Sequence, residues 1–89
     1  MIIRRGAGLN LLRVGWEVQP TGKEPWGSTN SEAYWLLAEK VRDTFGDEPV
    51  SPKEIHEQVT MPLGFSPSDT ITLIKNALRE GYLKIAKGV

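Results

Sequence analysis

Between Leu12 and Val18 the chain alternates: Leu12, Val14, Trp16 and Val18 are apolar, and Arg13, Gly15, Glu17 and Gln19 fall between or after them. A period of two is the signature of a strand with one buried face. Upstream, "GAG" at Gly6 to Gly8 separates "MIIRR" from "LNLLRVGWEV", which predicts a β-hairpin over 2–19 with a short glycine turn. Leu9 and Leu11 are out of phase with the later set, so a bulge is expected near Leu11 and Leu12. The stretch "QPTGKEPWGS" carries two prolines and two glycines among polar residues and predicts a loop over 20–28.

The period then changes to that of a helix. Thr29 and Glu32 have capping-box spacing, and Tyr34, Leu37, Ala38, Val41 and Phe45 recur at intervals of three and four until Gly46. A helix over 29–45 follows, with Trp35 and Leu36 widening its apolar face so that cover on more than one side is expected. Ser51 as N-cap, Pro52 at the first helical position and Glu54 at the third open a second helix over 51–59, with Ile55 and Val59 inward. "TMPLGF" ends it through Pro62 and Gly64. "SPSD" at Ser66 to Asp69 starts a third helix over 66–80, whose inward stripe is Ile71, Ile74, Ala77 and Leu78 and whose stop is Gly81. Tyr82, Leu83 and Ile85 predict a short strand over 82–87. The class is therefore α+β, in a single domain spanning 1–89.

Residues 51–86 have the layout of a helix-turn-helix followed by a strand. Ser51, Pro52, Glu54 and Ile55, then Ser66, Ile71, Ile74, Leu78, Gly81, Tyr82 and Leu83, give this half of the chain a pattern that resembles the winged helix-turn-helix superfamily. The resemblance extends to the fold and points to no single family within it. It implies a three-helix core with 29–45 as the first helix, and a wing after "GYLKI". Here the sequence departs from the pattern, since "AKGV" leaves no returning strand. A lone edge strand would leave its backbone N–H and C=O groups unpaired. The expectation is thus that Tyr82 to Lys87 pairs with a strand of Ile2 to Val18. The result is a three-helix, winged-helix-like domain with a small antiparallel sheet formed by the N-terminal hairpin and the C-terminal strand.

Charge sharpens this picture. The net charge is zero, but four bases face two acids in 1–27, three bases face seven acids in 28–59, and four bases face two acids in 60–89. Where the two ends of the chain meet, Arg4, Arg5 and Arg13 would join Lys84 and Lys87 in a basic surface, with an acidic middle segment opposite. Scattered solvated charge accounts for the same balance. On the third helix the outward residues are Ser68, Asp69, Thr72, Lys75, Asn76 and Arg79. Lys and Arg neutralise phosphate, Asn pairs with an adenine edge, and Ser or Thr reaches backbone or base. Candidate DNA contacts are therefore Arg4, Arg5, Arg13, Ser68, Thr72, Lys75, Asn76, Arg79, Lys84 and Lys87. Asp69 argues against close phosphate approach at the helix start, and an ordinary solvated face reads the same way. Trp26, beside Pro25 and Gly27, is either a partner-contact anchor or a lid on the core.

Other chemistry is poorly supported. With no cysteine and one histidine, His56, flanked by Glu54 and Glu57, a metal site is not expected, and His56 reads as a surface residue. Asp47 and Glu48 beside Pro49 fit turn chemistry. No phosphate loop or catalytic constellation is present, so no enzyme activity and no cofactor are expected. No run approaches the roughly 18 apolar residues of a membrane span, and the N-terminus lacks a signal-peptide core, so a soluble cytoplasmic protein without membrane association is expected. Two functions follow: a double-stranded DNA-binding protein, as a small transcriptional regulator with a homodimer open to it, or a winged-helix protein–protein interaction module that does not bind DNA.

Overall fold

The computed structural model describes residues 15–25 and 29–88. The hairpin, "GAG" turn and bulge expected before Gly15, with Arg4, Arg5, Arg13 and Trp26, lie outside the described residues. In chain order the elements are strand β1 (Glu17–Pro20), helix α1 (Thr29–Phe45), helix α2 (Pro52–Ile55), a π-helical turn (His56–Thr60), a 3-10 turn (Met61–Leu63), helix α3 (Pro67–Glu80) and strand β2 (Leu83–Lys87).

The two strands pair as the unpaired edge requires. β1 and β2 are antiparallel, with Pro20 opposite Leu83, Gln19 opposite Lys84, Val18 opposite Ile85 and Glu17 opposite Lys87. The register slips between Glu17 and Val18. On its other edge Val18 exchanges two backbone hydrogen bonds of 3.0 Å with Val50, so β1 is flanked on both sides. Val18 and Pro20 are buried, in the phase the alternation gives. The strand runs one residue into the expected loop, and Thr21 continues the pairing by donating its N–H to the Tyr82 carbonyl (3.1 Å).

Three helices close over this sheet. Val41 of α1, Ile55 of α2, Ile74 and Ala77 of α3, and Val18 of β1 are fully buried and meet in one core, with Tyr82 and Leu83 nearly so. Tyr34, Trp35 and Phe45 pack against it while partly exposed, as does Trp16. Leu36 departs from expectation: it is 46% exposed, so among the described residues α1 is covered on one side only. No helix of the described residues is long and apolar enough to cross a membrane.

Local chemistry sets the helix ends. Ser51 Oγ accepts the Glu54 N–H (3.3 Å) and Ser66 Oγ accepts the Asp69 N–H (3.1 Å), each followed by a proline whose missing N–H is harmless there. α3 ends at Gly81, in the left-handed conformation (φ 90°), where its N–H returns to carbonyls of the last turn. The second helix differs from the single helix expected over 51–59. After one α-helical turn the backbone widens into the π-helical turn, in which the Met61 N–H returns to the His56 carbonyl, and then tightens through Met61–Leu63. Two local causes fit: Pro62 offers no N–H to an α-helical continuation, and the Thr60 hydroxyl also reaches the His56 carbonyl (3.5 Å).

Candidate functional site

α3 has two distinct sides. Thr70, Ile71, Ile74 and Ala77 are buried against the core. Ser68, Thr72, Lys75 and Arg79 recur at intervals of four, three and four, and all four are exposed. Such intervals keep side chains on one stripe of a helix. The Thr72 hydroxyl donates to the Ser68 carbonyl (3.1 Å), one turn back on the same helix. Asn76 sits at the margin of this stripe and is partly buried. Arg79 approaches Glu80 at 3.5 Å, an exposed contact that solvent screens. Lys75 has no ion-pair partner among the described residues.

Among the described residues the sheet contributes Lys84 and Lys87, both exposed on β2, with Lys87 opposite Glu17. Lys23 is committed elsewhere: its ammonium donates to the Glu80 carbonyl (2.6 Å) and lies 4.9 Å from the Tyr82 ring centroid. Together with the Thr21 hydroxyl, which donates to the Gly81 carbonyl, it closes the C-terminal end of α3, where cations are favoured. Thr21 to Lys23 therefore fix where α3 ends, a role the loop composition did not reveal.

His56 is a correction. It is 7% exposed, not a surface residue, and it joins Thr60 and Thr70 in a polar cluster between the π-helical turn and α3. Its Nδ1 lies 3.1 Å from Thr60 Oγ1 and 3.0 Å from Thr70 Oγ1, and the two hydroxyl oxygens are 2.5 Å apart. The Thr70 hydroxyl donates to the Ser66 carbonyl (2.9 Å). A hydrogen-bonded chain results, from His56 through Thr60 and Thr70 to the carbonyl of the α3 N-cap. No buried side-chain N or O among the described residues lacks a partner. The cluster thus ties the π-helical turn to the first turn of α3, fixing how α3 is presented. Its sequence signal was the i, i+4 pair His56 and Thr60 beside inward Ile55 and Val59.

A second feature lies beside α3. Leu36, Leu63 and Phe65, exposed by 46%, 55% and 38%, stand around a cavity of about 230 Å³ whose floor includes Leu37, Val59 and Leu73. Met61, 52% exposed, lies in the same turn. A second, more polar cavity shares Lys40, Val59 and Leu63 with it and is flanked by Asp43, Thr44 and Gln58, so the two form the apolar and polar halves of one grooved surface. "TMPLGF" carried the signal for it: three large apolar residues within a helix breaker, where none is needed to end a helix. Among the described residues no group of three or more His, Asp or Glu side chains is placed to hold a metal ion.

No protein-family model matches this chain, and no curated protein or solved structure matches it either.

Proposed function

We propose that this chain is a double-stranded DNA-binding domain of the winged helix-turn-helix type, working as a small transcriptional regulator. The observation that carries the reading is the exposed stripe Ser68, Thr72, Lys75 and Arg79 on a helix whose Thr70, Ile71, Ile74 and Ala77 are buried against the core. α3 follows a tight turn and is braced at its start by the His56 cluster, as a reading helix must be to hold register in a groove. Lys75 and Arg79 take phosphate charge, and Ser68 and Thr72 offer hydroxyls to backbone or base edges. Asp69 keeps the first turn from the phosphates, so contact centres on the middle and C-terminal half of the helix. Lys84 extends the cationic surface onto β2. β1 lies alongside β2 where a returning wing strand would pair, and supports the winged-helix reading of the sheet. The seven acids between Glu32 and Glu57 ride on α1, α2 and their surrounding loops, away from the stripe in sequence and element.

Fluorescence anisotropy with labelled duplexes at two salt concentrations tests this. Lys75→Ala and Arg79→Ala are each expected to weaken binding and to lower the salt slope by about one. Absence of binding to any duplex at micromolar protein and low salt overturns the reading.

The apolar cavity favours a second reading, a protein-interaction module without DNA binding, because contiguous exposed apolar surface marks contact sites. Capture of partners that survive nuclease treatment, by a chain that binds no duplex, would select it.

A further inference from the structure

Four of the five large apolar residues exposed among the described residues, Leu36, Met61, Leu63 and Phe65, lie on α1 and the turn before α3. Three of them rim one cavity, and that cavity of about 230 Å³ exceeds the roughly 150 Å³ that admits a benzene ring. Contiguous exposed apolar surface of this kind marks a contact site. We propose that the occupant is a second copy of this chain, in a two-fold dimer across α1 and the Met61–Phe65 turn.

Two properties of the surface select a copy of itself. An isologous interface must carry knob and hole on the same patch, because each contact occurs twice with the partners exchanged. Leu63 is that knob: it is more than half exposed and stands between the apolar and polar halves of the groove. The apolar half beside it is the hole. The second property is charge. Lys40 and Asp43 lie one turn apart on α1, both exposed, both on the polar half of the groove. Neither has an ion-pair partner among the described residues, whereas Arg42 beside them is paired with Glu39 and Asp47. A two-fold axis between Lys40 and Asp43 sets each against its opposite in the second copy and seats Leu63 of each copy in the other's apolar half. The patch is neutral and self-complementary, as an isologous contact needs.

The dimer leaves the α3 stripe free. At about 100° per residue, Leu73 on the groove wall is about 160° round the helix from Lys75 and about 120° from Arg79. The proposal therefore stands whether or not α3 contacts DNA.

Sedimentation velocity on the whole chain, from about 10 µM to about 1 mM, is the test, a range set by the weak affinity of a small interface. The wild-type chain is expected to pass from monomer to dimer. Lys40→Asp and Asp43→Lys each place two like-charge contacts in the dimer and are expected to raise its dissociation constant by about tenfold or more. Mixing the two variants in equal amounts restores both opposite-charge contacts, so the mixture is expected to dimerise as the wild type does. Leu63→Asp abolishes dimerisation while the circular-dichroism melt confirms folding. A wild-type chain that stays monomeric overturns the proposal, as does a mixture that remains as weak as its components. Amide shifts on dilution that fall on β2 around Ile85, and not on Leu36, Lys40 and Leu63, overturn it as well.

Discussion

Thr70→Val separates packing from hydrogen bonding where the π-helical turn meets α3. Valine keeps the branched shape of Thr70, which is fully buried, and replaces a hydroxyl by a methyl. If only packing mattered, the change would be neutral or stabilising. The hydroxyl, however, donates to the Ser66 carbonyl at 2.9 Å and lies 2.5 Å from Thr60 Oγ1 and 3.0 Å from His56 Nδ1. Each such bond has a net worth of about 1 kcal/mol, giving an upper bound of about 3 kcal/mol. Two partners are partly compensated: the Ser66 carbonyl keeps the Thr70 N–H at 2.9 Å, and Nδ1 keeps Thr60. The Thr60 proton falls back on the His56 carbonyl, which lies 3.5 Å away. A loss of about 2 kcal/mol is therefore expected, or a fall in Tm of about 8–16 °C for a domain of this size. Urea unfolding followed by far-ultraviolet circular dichroism measures it. Stability within about 0.5 kcal/mol of the wild type, or above it, would refute the hydrogen-bonded chain from His56 to the α3 N-cap.

Two further changes probe the end of α3. Gly81→Ala forces an L side chain to φ 90° and is expected to cost about 1–2 kcal/mol by the same denaturation; no steric clash adds to this, because a Cβ there would meet Lys23 only at 3.6 Å. Lys23→Ala removes the ammonium from the Glu80 carbonyl and the Tyr82 ring, with an expected loss of about 0.5–1 kcal/mol at low salt that shrinks in high salt because the ammonium is exposed; an unchanged stability at low salt would show that the contact contributes nothing.

What could be read from the sequence was local or topologically forced. Ser51 with Pro52 and Ser66 with Pro67 announce helix starts because their partners lie three residues on. Gly81 announces a stop because few other residues tolerate its backbone angle. Pairing of the last strand with the first segment followed from the cost of an unpaired edge, without any propensity. The His56 cluster was hidden because Thr70 is fourteen residues from His56, so no spacing within one element reveals the contact. The π-helical turn compounds this, since it breaks the 3.6-residue period by which inward positions are judged. Lys23 was hidden likewise, its partner being fifty-seven residues away. On α3 the outward stripe was legible because one helical period sorts it, and only Asn76 strays to the margin.

The same residues join the two candidate surfaces. Thr60 belongs to the His56 cluster and also lines the apolar cavity, next to Val59, and Leu73 lines that cavity from α3. The cluster therefore holds one wall of the groove and the first turn of α3 with a single set of hydrogen bonds. A groove whose wall is fixed before association loses little side-chain freedom when filled, and so binds more tightly than an equally apolar but mobile one. This accounts for buried polar residues where apolar ones would pack as well: Val at 60 and 70 would fill the space, but only the hydroxyls and the imidazole constrain the direction in which α3 leaves the turn.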